Sequence, residues 1–313
     1  MNSIASVTIW YNPQNMTSPT AAEAVNTYAS HMGKAYIVDN SDTDNSELAA
    51  LIPNSVYIPN HKNLGIATAL NQGCESAKKD GFEWCMTMDQ DSYFSQEQLI
   101  KYLSFFKDNF LLDSSIKSFA PSQNEIGKNI LPFSTKIRKR FLSPIKHLIF
   151  KKTQNNNSIT ISDKIFVDRI MTSANIIHLN TWAEIGKFDD ILFIDEVDHD
   201  FCIRLILSNF KILKSNTCFV NHTLGQTKRT FFPKVQYESD FRLFYIFRNI
   251  MIEKNRFGKI NKARNYSKEL WEYFRDYCIL DLHFFTHLCI FIKAYKNYKI
   301  IIHNGLENKY EKK

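Results

Sequence analysis

The sequence predicts an α/β protein with a mostly parallel β-sheet, helices on both faces of that sheet, and a helical C-terminal region. Three observations predict this class. Short apolar runs alternate with helical patterns as far as residue 120, which is typical of a parallel sheet. Polar residues follow the ends of several of these runs. From residue 237 onward the pattern is helical and rich in aromatic side chains.

The predicted elements follow one another regularly. Strands are predicted at 6–10, 35–38, 55–58, 84–88 and 116–120, and helices at 20–32, 64–79 and 95–109. One or two strands are expected within 165–179, then a short helix and turn within 182–190, a helix ending at 210, and a strand from 219. Ligands of such sheets bind at the carboxyl ends of the strands. Asn12, Asp39, Asp89 and Asp91 are therefore expected to converge at one edge.

Asp89 and Asp91 follow the apolar run 84–88, with one residue between them. Alternation along an extended chain places both carboxylates on one side. Two such neighbours repel each other unless a cation lies between them, and Mg²⁺ commonly binds through one or two carboxylates plus substrate phosphates. The pattern predicts a divalent cation, Mg²⁺ or Mn²⁺, together with a diphosphate. For an isolated Asp-x-Asp, a polar turn is the alternative.

A second acidic stretch lies at 195–200, at the start of a predicted helix. Acids in a first helical turn suit the helix dipole, which would explain them without any chemistry. The functional interpretation is that one of these carboxylates works as a general base. His222 is a candidate ligand for a metal or a phosphate, although a lone histidine is more often structural.

Composition narrows the class of protein. The chain has 313 residues, of which 44% are hydrophobic and 23% charged, as is ordinary for a globular protein. The six cysteines form no C-x-x-C pair, and neither a signal peptide nor a membrane-spanning run is expected, so we expect a cytoplasmic protein. A net charge of +7 suits an anionic partner. The sequence contains no phosphate-binding loop of the G-x-x-x-x-G-K-[ST] type, no G-x-G-x-x-G dinucleotide-binding loop after a strand, and no G-x-S-x-G nucleophile elbow.

Two segments depart from the α/β pattern. We place a catalytic domain at 1–235, with a basic and apolar insertion at about 122–163 that is either a membrane-contacting segment or a solvated lid. Residues 236–313 are expected to form a helical region whose apolar faces lie beside lysines. Three roles are possible for this helical region: it contacts the cytoplasmic face of the inner membrane, it forms a homodimer interface, or it caps the core. No nucleic-acid partner is expected.

Several stretches, taken in order, resemble the inverting glycosyltransferases of family 2, which have the GT-A fold, and within them the bacterial rhamnosyltransferases. They are V-T-I-W-Y-N-P at 7–13, I-V-D-N-S at 37–41, N-L-G-I-A-T-A-L-N-Q-G at 63–73, M-D-Q-D-S at 88–92, T-S-A-N at 172–175, I-G-K-F-D at 185–189, F-I-D-E-V-D at 193–198, H-T-L-G at 222–225 and Y-I-F-R-N at 245–249. The D-Q-D-S and F-I-D-x-V-D forms point to rhamnosyl transfer. Trp10, Ala174 and the H-D-F run at 199–201 depart from the family's usual residues.

The resemblance implies a Rossmann-like GT-A sheet and transfer of a sugar, in the first instance rhamnose from dTDP-rhamnose. The acceptor would be a saccharide or a lipid-linked saccharide in O-antigen or capsule synthesis. A UDP-sugar (galactose, galactofuranose or an N-acetylhexosamine) is the alternative donor.

The resemblance also implies individual roles. Asp198 would be the general base, Asp195 and Asp200 would position or tune it, and Asp91 with Asp89 would hold the metal. The residues implied to contact the nucleotide sugar are Tyr11, Asn12, Asp39, Asn63, Gly65, Asn71, Asp89, His222 and Arg248.

Two functions of other classes stay open. A phosphatase of the haloacid dehalogenase type also uses D-x-D after an apolar strand, and Asp89 would be its nucleophile. That fold usually places the motif on an early strand, whereas three predicted strands precede it here. A non-catalytic basic protein docking on membrane through the insertion is the other alternative.

Overall fold

The structure is a computed structural model that describes residues 4–16, 18–126, 163–223, 239–261, 264–279, 281 and 283–305. The insertion expected at about 122–163 lies almost wholly outside these residues, as do Leu224 and Gly225 of the H-T-L-G motif. The strands are β1 (Ala5–Trp10), β2 (Lys34–Asp39), β3 (Ser55–Pro59), β4 (Trp84–Asp89), β5 (Ser92–Tyr93), β6 (Ile116–Ile126), β7 (Lys164–Val167), β8 (Asn175–His178) and β9 (Lys211–Thr223). The α-helices are α1 (Ala21–Ala29), α2 (Ser46–Ala49), α3 (Ile66–Lys79), α4 (Gln96–Asn109), α5 (Leu179–Glu184), α6 (Val197–Leu207), α7 (Asp240–Phe257), α8 (Tyr266–Cys278) and α9 (Phe284–His303).

Within the described ranges, the strands form one sheet in the order β3-β2-β1-β4-β8-β6-β9-β5, and β7 pairs with β9. The first four strands are parallel to one another. β8 runs antiparallel between β4 and β6, and β9 is parallel to β6 but antiparallel to β5 and β7. The register pairs Trp10 with Asp39 and Ile9 with Asp89, so β1, β2 and β4 end at the same edge, as expected.

Local sequence signals explain where several elements begin and how closely they pack. Thr20 caps α1: its Oγ1 accepts from the Glu23 backbone N–H, while the Glu23 carboxylate accepts from the Thr20 N–H. Gly73 lets α3 approach β1, because a methyl group there would lie 2.4 Å from a Val7 methyl. Helix and strand identity in the first half therefore follow the sequence prediction closely.

The apolar core lies on both faces of the sheet. One cluster gathers side chains of α1 and α4, including Tyr28 and Tyr102, around the strands. Trp10, one of the departures from the family pattern, is fully buried in it. The other cluster packs α3, α5 and α6 on the opposite face and includes Trp182 and Phe201. Because both faces of the sheet are covered, a ligand can reach the sheet at the edge where β1, β2 and β4 end.

Strand β9 is longer than the sequence prediction, which places a strand only from residue 219. Its first half, K-I-L-K-S-N-T-C, holds polar residues that are weak strand formers. Long parallel pairing with β6 and antiparallel pairing with β7 hold this half in the sheet. Tertiary pairing therefore overrides local preference, and it aims the end of β9 at the carboxyl end of β4.

The three C-terminal helices pack on one another through aromatic contacts. Phe291 of α9 lies edge-on to Phe247 of α7, with ring centroids 5.1 Å apart, and 4.9 Å from Phe274 of α8. No helix among the described residues is long and apolar enough to cross a bilayer. The helical character predicted from residue 237 onward is confirmed.

Candidate active site

Two carboxylates and an imidazole meet where β4 and β9 end. Ligand atoms of Asp89, Asp91 and His222 lie within 4.8 Å of one another. His222 Nδ1 is 3.3 Å from Asp91 Oδ1. Burial, and then the charge of Asp89, raise the pKa of Asp91 to about 6. The oxygen and nitrogen donors present here suit Mg²⁺ or Mn²⁺, as expected for the pair of aspartates.

Two serines join these side chains into one hydrogen-bonded chain. Ser173 Oγ donates to Asp89 Oδ2 at 2.7 Å and bonds Ser92 Oγ at 2.7 Å. Ser92 Oγ lies 2.9 Å from His222 Nδ1. Partners of this kind fix the orientation of metal-binding groups before any ion arrives. The chain thus links β4, β5, β9 and the turn before β8.

Asp198, the predicted base, is held by Thr172, which precedes Ser173 in the turn before β8. The Thr172 N–H donates to Asp198 Oδ2 at 3.2 Å, and the His199 N–H donates to Oδ1 at 2.8 Å. Consecutive residues, Thr172 and Ser173, therefore hold Asp198 and Asp89. Burial raises the pKa of Asp198, with the charge of Glu196 acting in the same direction. A carboxylate with a raised pKa is a stronger proton acceptor.

The loop before α6 has unusual backbone geometry. Phe193 lies at φ 62° and ψ −64°, and the Ile194 N–H donates to the Leu192 carbonyl at 2.7 Å, which together define a classic γ-turn. Asp195 and Glu196 also have positive φ, 62° and 66°. Each such non-glycine residue costs about 1–3 kcal/mol and persists only where its surroundings enforce it.

Asn249 of α7 enforces this loop. Its side-chain amide donates to the carbonyls of Leu192, Ile194 and Asp195 at 2.7–3.0 Å. The Phe193 ring stacks on Tyr245 with centroids 4.7 Å apart. A helix outside the sheet therefore sets the position of the loop that leads into Asp198.

The residues expected at the nucleoside lie at the ends of β1 and β2. Tyr11 is 48% exposed, and its backbone exchanges two hydrogen bonds with the Gln90 side chain. The Asn12 N–H donates to Ser41 Oγ at 2.8 Å. This places the exposed Tyr11 ring next to the turn between Asp89 and Asp91.

Asp39 is buried, and both its oxygens accept hydrogen bonds within the chain. Oδ1 accepts from the Ser41 N–H and Oγ, and Oδ2 accepts from Asn45 Nδ2 and the Tyr57 hydroxyl, at 2.5–2.9 Å. A pyrimidine N–H would have to displace one of these donors, of which Asn45 lies in the loop after β2.

Gly65 and Asn63 form a turn beneath the strained loop. Asn63 Oδ1 accepts from the Gly65 N–H at 3.0 Å, and Gly65 has φ 83°. A methyl group at Gly65 would lie 2.6 Å from the Phe193 ring, so only glycine fits here. Gly65 thus has Phe193 as a close neighbour, and its expected contact with the nucleotide sugar stays a prediction.

Three of the predicted site residues are occupied by structural contacts instead. Asn71 donates to the Phe188 carbonyl and to Asp190, both at 2.9 Å. Asp200 is fully buried between Arg204 and Arg256, and Arg248 donates to the carbonyls of Ile191 and Leu192 while lying 4.6 Å from the Tyr245 ring centroid. All three hold the 185–195 segment, and their expected roles with the donor or the base stay predictions.

Asp195 pairs with an arginine that sequence reasoning left without a role. Nε and Nη2 of Arg242 donate to the Asp195 carboxylate at 2.8–3.1 Å, and the Arg242 side chain is 45% exposed. The charge of Arg242 also lowers the pKa of Asp91 against the larger effect of burial. One signal was present: an arginine in the first turn of a helix opposes the dipole and needs another partner.

Comparison with known proteins finds the family that the sequence motifs resemble. Residues 34–172 match the sequence model of glycosyl transferase family 2. The dTDP-rhamnosyl transferase RfbF of Shigella flexneri is 30% identical over 152 residues, which are 49% of this chain and 46% of that protein. The chain thus matches about half the length of this curated relative.

Solved structures show the fold. A fragment of S. aureus TarS, in complex with UDP-GlcNAc, aligns with a TM-score of 0.54 at 14% identity over 95% of this chain and 80% of that one. GalNAc-T7, crystallised with UDP, GalNAc and Mn²⁺, aligns with a TM-score of 0.50 at 12% identity over 98% and 58%. The expected GT-A fold, a curled sheet with flanking helices, is confirmed.

Proposed function

Because this chain belongs to the family 2 glycosyltransferases, we propose that it transfers a sugar from a nucleoside diphosphate to a saccharide or lipid-linked saccharide, with inversion at the anomeric carbon. One observation carries the proposal: Thr172 and Ser173, adjacent in sequence, hold Asp198 and Asp89. A proton acceptor and a candidate metal ligand, from different parts of the fold, are therefore held by one turn. An in-line displacement needs both groups near one anomeric carbon, since the nucleophile attacks on the side opposite the departing diphosphate.

Asp89, Asp91 and His222 would hold Mg²⁺ or Mn²⁺, and a cation there supplies positive charge that stabilises the departing diphosphate. Asp198 accepts the proton of the acceptor hydroxyl as its oxygen bonds to the anomeric carbon. The bond from that carbon to the diphosphate oxygen breaks in the same step. The partial burial of Asp198 raises its pKa, which favours proton uptake.

Arg242 is the arginine that we favour for contact with the diphosphate. Its guanidinium is partly exposed, paired with Asp195, and close enough to act on the charge of Asp91. Asp195 would thus position Arg242 until a donor arrives, since a diphosphate offers stronger acceptors than one carboxylate. Tyr11 would stack on the base, and Asp39 would accept from it once Asn45 moves.

The favoured donor is dTDP-rhamnose, and the pathway O-antigen or capsule synthesis in the bacterial cytoplasm. Support comes from the D-Q-D-S and F-I-D-E-V-D forms and from the rhamnosyl transferase of Shigella flexneri. A UDP-sugar is the second candidate, because the TarS fragment of the same fold was crystallised with UDP-GlcNAc.

Thermal unfolding tests the proposal. A ligand that binds only the folded protein raises the melting temperature. With Mn²⁺ or Mg²⁺ present, we expect dTDP-rhamnose to raise it more than UDP-galactose or UDP-N-acetylglucosamine, and Asp91→Asn to abolish the metal-dependent part. A larger shift with a UDP-sugar would replace the donor and keep the activity. No shift with any of the three would overturn the proposed function.

A further inference from the structure

Helix α9 has an outward face that is apolar at its start and basic towards its end. The face turned to the protein is defined by His287, Ala294 and Ile301, which are buried at a spacing of seven residues. On the opposite side Phe285 is 71% exposed and Ile292 43% exposed. We define the α9 outer face by its exposed side chains: Phe284, Phe285, Ile292, Ile300, Lys293, Lys296 and Lys299.

We propose that the α9 outer face docks on an anionic lipid surface. No Asp or Glu occurs between residues 284 and 305, so nothing on this helix offsets the three lysines. Aromatic and aliphatic side chains of such a face enter the boundary between headgroups and acyl chains, while lysines extend their ammonium groups to lipid phosphates. No described helix crosses the bilayer, so the contact is peripheral.

The positive charge of the α9 outer face favours an anionic lipid surface over the other possible partners, which are a second copy of the chain and the chain's own segment 127–162. A second copy packed face to face would set three lysines against three lysines with no acid between them. The chain's own segment 127–162 contains eight Lys and Arg and no Asp or Glu, so it too would be repelled by the face. The same composition adds attraction to an anionic bilayer, where each basic residue contributes a factor of about five in partitioning.

Co-sedimentation of the full chain with lipid vesicles tests the inference without any donor sugar, so its outcome is separate from that of the proposed activity. The vesicles are phosphatidylcholine alone and phosphatidylcholine mixed with phosphatidylglycerol. We expect binding to the mixed vesicles, weakened by salt. The triple change Lys293→Gln, Lys296→Gln and Lys299→Gln should lower the partition constant about a hundredfold. Phe285→Ser with Ile292→Ser should lower it about tenfold or more.

Matched controls come from helix α4 and the turn after it. Leu111 and Leu112 are 79% and 72% exposed, and Lys101 and Lys107 are exposed as well. Leu111→Ser with Leu112→Ser, and Lys101→Gln with Lys107→Gln, should leave vesicle binding within about twofold of the unchanged protein, since single exposed side chains there form no shared face. Thermal unfolding of every variant checks that each is folded.

Several results would overturn the inference. The unchanged protein could fail to sediment with the mixed vesicles, or the α4 controls could lose binding as strongly as the α9 variants. A dimer in solution that Phe285→Ser and Ile292→Ser dissociate would make the face a subunit interface. Retention of a nucleic acid through the same lysines, without vesicle binding, would assign the face to that partner.

Discussion

Asp198 shows how two backbone N–H groups and burial can prepare one carboxylate. The two hydrogen bonds fix its orientation, while removal from water makes it hold a proton more tightly than an exposed aspartate does. The sequence predicted this residue, because the F-I-D-E-V-D motif is local. It could not predict Thr172, whose contact with Asp198 spans 26 residues and depends on the approach of α6 to the turn before β8.

Asp198→Asn tests the role of this carboxylate. The amide keeps the shape of the side chain but cannot take up a proton at neutral pH. Turnover should fall by about 10²–10⁴-fold, the usual contribution of a general base. Donor affinity, measured by calorimetry, should stay within about threefold. Asp108→Asn on the exposed side of α4 is the control and should leave both quantities unchanged; an active Asp198→Asn variant would contradict the assignment.

Arg242 is predicted to recognise the diphosphate rather than the nucleoside. Arg242→Gln should weaken binding of dTDP about tenfold or more, the value of one charge-assisted contact, and weaken binding of thymidine much less. Asp195→Asn releases Arg242 from its partner and should not weaken dTDP binding. Arg275→Gln, which breaks a pair with neighbouring Asp276, is the matched control. Equal losses for dTDP and thymidine would contradict the role of Arg242.

At the scale of elements, the loop 192–196 and helix α7 work as one unit. A γ-turn at Phe193 followed by two more residues with positive φ is costly in isolation, and Asn249 offsets the cost by donating to three carbonyls. The Y-I-F-R-N motif was identified from the sequence, but the contacts of its arginine with the Ile191 and Leu192 carbonyls were not predicted. Which way a long side chain on a helix points depends on the face that packs, and here that face turns Arg248 inward.

Asn249→Leu is expected to release this loop. Leucine has a similar size but no N–H groups, so the Ile194 and Asp195 carbonyls would lose the donor that Asn249 provides, and the Leu192 carbonyl would keep only Ile194 and Arg248. The free energy of unfolding should fall by about 3 kcal/mol, and turnover should fall with it. Asn265→Ala removes the cap of α8, should cost about 1 kcal/mol, and should leave turnover unchanged. The measurements are denaturant unfolding and steady-state kinetics; unchanged turnover in Asn249→Leu would show that the loop holds itself.

On the scale of the whole molecule, a buried network of charges joins the C-terminal helices to the sheet domain. Arg256 of α7 bonds Asp189 at 2.6 Å and Asp200 at 3.1 Å, and Arg264 bridges Glu196 to Glu269. Glu253 lies among these groups, and neither of its oxygens accepts a hydrogen bond from the described residues. Burial raises the pKa of Glu253 well above its usual value, followed in size by the charges of Asp200 and Glu196.

Glu253→Gln is therefore expected to stabilise the protein, and more so as the pH rises. Below about pH 4.3 the glutamate is protonated in both the folded and the unfolded chain. Above that pH the unfolded chain loses the proton while the folded chain keeps it, so folding stability falls by up to about 1.4 kcal/mol per pH unit until the raised pKa is passed. Glutamine avoids this loss.

Melting temperatures at pH 5 and pH 8 check the prediction for Glu253. The difference between Glu253→Gln and the unchanged protein should be larger at pH 8. Glu272→Gln, at a half-exposed position on α8, is the control and should show a small difference at both pH values. A larger difference at pH 5 would contradict a raised pKa.

Sequence patterns predicted the sheet and most of its ligand edge because the signals there are short-range. Strand ends, the cap at Thr20 and the D-Q-D spacing are each read from neighbouring residues. The different surroundings of Asp198 and Asp200 were not predictable in this way: both lie in the first turn of α6, yet Asp198 bonds the turn before β8 and Asp200 is buried between Arg204 and Arg256. Only the packing of α7 against α6, which brings Arg256 from far along the chain, distinguishes them.

The donation by Asn249 and Arg256 has a practical consequence for anyone who expresses shorter versions of this chain. A fragment ending before residue 239 would keep every strand that the structure describes, together with Asp89, Asp91 and Asp198. It would nevertheless leave the carbonyls of Leu192, Ile194 and Asp195 without the donor that Asn249 provides, and Asp189 and Asp200 without Arg256. We expect the loop 192–196 to lose its ordered conformation in such a fragment. Inactivity of the fragment would therefore say nothing about the catalytic role of Asp198.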